Sequence, residues 1–327
     1  MIYIISKEAL ESSTERVIDW IDNLGERVIR INGEDVSRKD NIHIEIENNK
    51  TNSINFNNLP KKQSNNVGWY RRWGNDSAYP KLECENLDFN NLDEILSRID
   101  HDHAILKYFI LENLNIKHWL TDPYLSSMNK LEILSIANEL EFSIPATIVA
   151  TNKNQLQNFR KRHNDLIVKA ISETLVINKE GKNYSFLTHI LSDVDYDNLP
   201  ATFLPTCFQE LIHKKFEIRV FFLDGKTYSI AIFSQNDETT SSDFRNYNYE
   251  KPNRNVPFIL PDNVSNKIER LMKKIGLNCA SVDLILDNNN RYVFLEINPV
   301  GQFGMVSTPG NFFLEKKIAQ YLINKKY

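Results

Sequence analysis

Three oxygen-bearing side chains near the C-terminus have the types and spacing to hold a hard divalent cation. Asp283 interrupts the apolar run Ser281-Val282-Asp283-Leu284-Ile285-Leu286. Glu296 and Asn298 end Tyr292-Val293-Phe294-Leu295-Glu296-Ile297-Asn298-Pro299. An acid in an otherwise apolar strand must be paired or bind a cation to offset its desolvation. Glu296 and Asn298 are two apart, so their side chains share one face of a strand. A hairpin turning at Asp287-Asn288-Asn289-Asn290 lets Asp283 lie on the neighbouring strand beside them. That oxygen set suits octahedral Mg²⁺, completed by water and phosphate oxygens. The same residues also fit a buried hydrogen-bond network that closes the hairpin.

Two lysines stand on otherwise buried elements. Lys169 closes the run Leu166-Ile167-Val168-Lys169-Ala170, and Lys130 opens a helical segment. A cation at either place can neutralise nucleotide phosphates. Each taken alone is more often an exposed element end. Following Gln209-Glu210-Leu211-Ile212, the triplet Glu217-Ile218-Arg219 sets an acid and a base two apart on one strand face. There a carboxylate can orient a nucleophile while the guanidinium steadies developing negative charge. Ordinary ion pairs have the same spacing. Val67-Gly68-Trp69-Tyr70-Arg71-Arg72-Trp73 either stacks on an anionic or peptide partner or packs its rings inward. His101-Asp102-His103 reads as polar residues on a solvated helix face rather than as a metal site.

The elements that must position these groups are legible. Ile2–Ile5, a helix with Val17, Ile18, Ile21 and Leu24 at helical spacing, and Arg27–Ile31 make a βαβ opening. Ser12, Ser13 and Thr14 are capping types, and Gly25 stops the helix. Ile42, Ile44 and Ile46 alternate as in a half-buried strand. Asn48–Asn66 reads as a hairpin and a loop, and the pattern from Asn91 to Leu120 is helical. Asp122-Pro123 marks a boundary. A helix from Asn129, a strand over 144–149, a helix over 154–163 and a strand over 166–170 form a small α/β unit. Beyond Pro200 come antiparallel strands at 207–212, 217–223, 227–234, 279–286 and 291–297. The turn Asp224-Gly225-Lys226 joins two of them. Helices over 263–275 and 312–323 complete the chain.

Composition narrows the function classes. With 327 residues the chain exceeds one simple core and divides into sub-domains. A net charge of −4 argues against a protein that coats nucleic acid. No stretch approaches the ~20 apolar residues of a membrane span. The N-terminus MIYIISKEAL lacks the basic region of a signal peptide. Cys84, Cys207 and Cys279 form neither a disulfide framework nor a CxxC motif. A reduced, cytoplasmic α/β protein with no membrane and no nucleic-acid partner is expected.

In their order along the chain, Lys130, Lys169, Gln209-Glu210, Glu217-x-Arg219, Asp243-Phe244-Arg245-Asn246, Asp283 and Glu296-x-Asn298-Pro299 resemble the motifs of ATP-grasp ligases, nearest the RimK-like branch. The resemblance spans about Asn129 to the C-terminus. Trp69-Tyr70-Arg71-Arg72 and the stretch from Phe233 to Asn248 are similar to the peptide maturases of graspetide (microviridin-type) clusters, closest to the grasp-with-spasm maturases. Two features depart from the pattern: no glycine-rich loop follows Lys169, and position 217 is Glu where RimK-like ligases often carry Asp.

The resemblance implies an α/β (α+β) ATP-grasp fold. Residues 1–121 would form an N-terminal α/β pre-ATP-grasp domain, 122–200 a central lid and 201–327 a C-terminal antiparallel-sheet domain. It implies an ADP-forming ligase that uses ATP and Mg²⁺ to macrocyclise a ribosomally made precursor peptide, leader plus core, through ω-ester or ω-amide bonds. Lys130, Lys169, Glu210, Leu211 and Ile212 would hold the nucleotide, and Asp283, Glu296 and Asn298 the metal. Arg219 and Arg245 would stabilise the transferred phosphoryl group and the acyl-phosphate, and Glu217 the incoming hydroxyl or amine. Trp69, Arg71 and Arg72 are candidates for peptide docking, and a homodimer is compatible with the family. A RimK-type ligase that adds amino acids to a protein end or a small molecule shares the same motifs. A nucleotide-binding regulatory protein without turnover is the alternative from another class, and retention of the full acyl-phosphate set argues against it.

Overall fold

The computed structural model describes residues 1–37, 42–48, 53–56, 65–74, 92–172, 176–179, 182–185, 188–234 and 253–327. They fall into two compact units, Met1–Ser126 with Phe313–Tyr327, and Ser127–Phe312. The last helix therefore groups with the first 126 residues.

In the first unit four parallel strands lie in the order Val28–Asn32, Ile2–Ser6, Asn66–Tyr70, Ile116–Leu120. Ile2–Ser6 is buried at all five positions, as expected of an inner parallel strand covered on both faces. The helix Ser12–Asn23 buries Thr14, Val17 and Ile21. Its N-cap is Glu11 rather than one of the serines, and Thr14 Oγ1 donates to the Glu11 carboxylate at 3.1 Å. An acid suits the positive end of a helix.

The expected helix from Asn91 to Leu120 is shorter. It spans Leu92–Asn113, Asn115 takes a left-handed conformation at φ 50°, and Ile116–Leu120 becomes the edge strand. Asn tolerates that conformation better than most residues, which makes it a stop signal. His101 and His103 sit on this helix. Among the described residues no group of three or more His, Cys, Asp or Glu could hold a metal ion.

The aromatic–arginine segment turns inward. Trp69 and Arg71 are 1% and 2% exposed. The Arg71 guanidinium lies 5.2 Å from the Trp69 ring centroid, 3.3 Å from Ser13 Oγ and 3.9 Å from Glu11. Arg72 Nε is 2.8 Å from the same carboxylate, with its side chain 39% exposed. Of the three candidate docking residues, only Arg72 is open to a peptide.

Besides the two-stranded antiparallel pair Val176–Lys179 and Lys182–Ser185, the second unit carries two larger sheets. One has the order His189–Ile190, Leu166–Lys169, Thr202–Glu210, Thr147–Asn152. The strand after Pro200 thus lies between the strands of the small α/β unit, antiparallel to both. The other is antiparallel, in the order Arg254–Phe258, Lys226–Phe233, Lys214–Leu223, Cys279–Asp287, Tyr292–Asn298. Asp224 and Gly225 both have positive φ, the geometry of a tight two-residue hairpin. The helix Lys130–Glu139 is capped by Asn129, whose Oδ1 accepts from the N–H groups of Leu131 and Glu132. The helix Asp262–Ile275 buries Val264, Ile268, Leu271, Met272 and Ile275, and stops at Gly276.

Arg254–Phe258 and the helices Asp193–Asn198 and Gly304–Gly310 were not expected from the sequence. The last contains two glycines and Pro309, all weak helix formers, so its propensity conceals it. Among the described residues no helix is long and apolar enough to cross a membrane.

Phe294, fully buried two residues before Glu296, packs against Phe142 with ring centroids 5.3 Å apart, and its N–H donates to the Ser143 carbonyl. Phe294→Ala is expected to cost about 3–5 kcal/mol, read as a lower urea midpoint, with Phe294→Leu losing clearly less.

Candidate active site

Alternation and register bring the expected acids and bases together on one face of the five-stranded sheet. Arg219 lies opposite Asp283, and Asp283 lies opposite Glu296 on the next strand. Val220 and Val282, at the alternate positions, are buried. Between Asp283 and Leu284 the register with the last strand slips, leaving Leu295 as an extra residue. This bulge allows Leu295 and Glu296 both to line the cleft.

Arg219 donates through one terminal nitrogen to both Asp283 oxygens, at 2.6 Å to Oδ1. These side chains are only 7% and 14% exposed, so each offsets the other's desolvation. Arg219 Nε is buried and has no hydrogen-bond partner among the described residues.

The two lysines converge from separate elements. Lys130, the first residue of its helix, places Nζ 3.6 Å from Glu296 Oε2, and Lys169, the last of its strand, places Nζ 3.9 Å from the same oxygen. Cys207 is opposite Lys169 in register. Burial pushes its thiol up despite the neighbouring ammonium.

Gln209, Glu210, Leu211 and Ile212 form one edge of the same cleft, whose walls include Ile167, Ile285 and Leu295. The Glu210 carboxylate accepts from the Ala146 N–H at 3.2 Å and lies 3.9 Å from His163 Nδ1. The Leu211 N–H donates to the Asp165 carbonyl. Asn298 lies opposite Ser281, on the face of Glu296. Its Oδ1 accepts from the N–H of Gly301, a residue at φ 62°, so its amide also holds the turn that follows. Arg245 lies outside the described residues. The arrangement is an apolar slot with a polar edge, opening onto a cluster in which each carboxylate has a cation beside it.

Two partners of Glu217 were missed in the sequence. Lys214 pairs directly with Glu217, and Ser234 Oγ donates to the same Glu217 oxygen at 3.4 Å. Three residues before Glu217, Lys214 would face the other side of a regular strand.

No protein-family model matches the chain, and no curated protein matches it. Solved structures do. A Chryseobacterium gregarium RiPP-associated ATP-grasp ligase, in complex with ADP and a leader and core peptide, superposes with a TM-score of 0.82 at 24% identity, covering 99% of this chain and 97% of that one. The macrocyclase MdnC of Microcystis aeruginosa, bound with the precursor peptide MdnA, gives 0.80 at 23% identity, covering 99% and 100%. The ATP-grasp ligase PsnB, complexed with minimal precursor, Mg and ADP, gives 0.73 at 15% identity, covering 100% and 97%. The chain therefore has the ATP-grasp fold.

Arg219→Met leaves the nearly buried Asp283 carboxylate without its guanidinium and is expected to cost about 3–5 kcal/mol. The double variant Arg219→Met/Asp283→Leu, which removes both charges, should recover a large part of that loss in chemical denaturation.

Proposed function

We propose that the chain is an ATP- and Mg²⁺-dependent, ADP-forming ligase that cross-links a ribosomally made precursor peptide. It joins Asp or Glu side chains to Thr, Ser or Lys side chains. The observation that carries this reading is the convergence of Lys130 and Lys169 on Glu296, itself opposite the Asp283–Arg219 pair. The ATP-grasp fold and the peptide complexes of the similar structures support it. The reduced, buried Cys207 and Cys279 fit a cytoplasmic reaction.

The residues present fit the groups the reaction needs. Asp283 and Glu296 are hard oxygen donors directly opposite one another, with the Asn298 amide on the same face. Their cations, and the Arg219 Nε that no described residue engages, suit phosphate oxygens. Bound Mg²⁺ supplies neutralisation of the nucleotide phosphates.

Lys130 and Lys169 hold those phosphates, and the edge from Gln209 to Ile212 with the apolar wall of Ile167, Ile285 and Leu295 holds the base and ribose. Arg219, with Arg245, steadies charge on the phosphoryl group as it passes to the substrate carboxylate, giving an acyl-phosphate and ADP. That activation is required because a carboxylate is a poor electrophile. Glu217 orients the acceptor and takes its proton as the acyl carbon is attacked and phosphate leaves. The net change is ATP to ADP and phosphate with loss of one water from the peptide. Apolar walls that exclude bulk water protect the intermediate from hydrolysis.

The test is intact mass of a candidate precursor peptide, rich in Thr and in Asp or Glu, after incubation with protein, ATP and Mg²⁺. Loss of one water mass per bond is expected, whereas gains matching added amino acids would point to a RimK-type ligase instead. Lys169→Met should weaken ATP binding about 10- to 100-fold in calorimetry, the loss expected for one charge-assisted contact.

A further inference from the structure

Lys214 is a charged side chain of the cleft for which the chemistry above has no use, and its placement depends on an irregularity in its strand. Lys214 lies opposite Asp287 and Phe216 opposite Leu286, so the register slips by one residue between them. Lys215 is the extra residue, a bulge of the kind that re-aims a side chain beside an active site. It brings Lys214 onto the face of Glu217, where ammonium and carboxylate pair directly with their side chains 7% and 9% exposed. The sheet has thus been distorted at the point where it sets a cation on the group that receives the acceptor.

We propose that the Lys214–Glu217 pair selects a neutral hydroxyl over a lysine ammonium as the acceptor, so that the bond formed is an ester; this rests on the peptide-ligase reading above. Each carboxylate at this end of the cleft already has a cation: Lys214 on Glu217, Arg219 on Asp283, and Lys130 with Lys169 on Glu296. Asp283 and Glu296 are the groups assigned to the metal, which leaves Glu217 to face the acceptor with its own ammonium attached.

A Thr or Ser hydroxyl arrives uncharged and donates to Glu217. Its oxygen bonds to the acyl carbon, its proton passes to the carboxylate, and phosphate leaves with the electron pair of the broken C–O bond. A lysine acceptor arrives as an ammonium, with only about one molecule in 1,000 neutral near pH 7.4. Lys214 repels it in a site where charges are poorly screened. Lys214 is on this account a positioning and selecting residue that acts through Glu217.

The test uses the full chain with ATP, Mg²⁺ and a Thr- and Asp/Glu-rich candidate precursor peptide, in two forms that differ only by Thr or Lys at the acceptor position. Intact mass reports condensation, and mild base opens an ester while leaving an amide. The Thr form is expected to condense at least about 10-fold faster than the Lys form, giving a base-labile ring. Lys214→Arg should keep that preference. Lys214→Met should narrow the Thr-to-Lys ratio by about 10-fold, because Glu217 can then pair with the substrate ammonium. A lysine needed only for folding would not move this ratio. Condensation of the Lys form as fast as the Thr form by the wild-type protein overturns the inference and leaves the ligase reading standing. An unchanged ratio in folded Lys214→Met also overturns it. Condensation of neither form overturns the ligase reading and the inference together. Should Lys214→Met fail to fold, the wild-type comparison decides.

Discussion

Holding several carboxylates in one poorly hydrated cleft is costly unless each has a cation within reach, and that constraint organises the second unit. Two unit charges about 4 Å apart interact by about 4 kcal/mol near a protein surface, and by more as water is removed. Glu217, Asp283 and Glu296 would repel one another and resist burial if left alone. Three elements supply the compensating charge: the strand Lys214–Leu223, with Arg219 and, across its bulge, Lys214; the end of a strand in a second sheet, with Lys169; and the first turn of a helix, with Lys130. The ion pairs are individually of uncertain benefit to stability, as buried pairs generally are. Under the proposed function, their collective effect is a site already arranged in charge for an anionic, metal-bearing ligand, whose arrival would exchange partners rather than create new charge burial.

The acids of the site were legible because their surroundings were not. An Asp in Ser281–Leu286 and a Glu after Tyr292–Leu295 stand out against apolar neighbours, and strand alternation then predicts a shared face. The observed register confirms that geometry for Asp283 and Glu296. The lysines were weaker signals, since a lysine at an element's end is usually solvated. Their common target, Glu296, exists only after the chain has folded. Lys214 could not be found by alternation at all, because a one-residue bulge reverses the face a side chain takes and leaves no local mark in composition.

The same distinction separates the well-read elements from the missed ones. Strong hydrophobic periodicity placed the opening strand and the helix Asp262–Ile275. It failed where the pattern continued past a backbone break, as at Asn115, where a left-handed residue turns a helix into an edge strand. It failed also at Gly304–Gly310, where surrounding structure overrides low propensity. Trp69-Tyr70-Arg71-Arg72 shows the limit of composition: the rings and guanidiniums that would suit a peptide surface are instead mostly spent on Glu11 and the interior. A fold shared at 23–24% identity with solved ATP-grasp structures is consistent with patterning, rather than particular residues, determining architecture. Function must be argued from the site.

The most direct test of the central claim is calorimetric binding of a non-hydrolysable ATP analogue, with and without Mg²⁺, to the wild-type chain and to Glu296→Gln. Mg²⁺ is expected to tighten binding to the wild type and to have little effect on the variant. Metal-free binding to the variant should be no weaker than to the wild type, because Lys130 and Lys169 are released from the carboxylate they share. A variant whose affinity responds to Mg²⁺ as the wild type's does would contradict the assignment of Glu296 as the point where metal, phosphate and lysines meet.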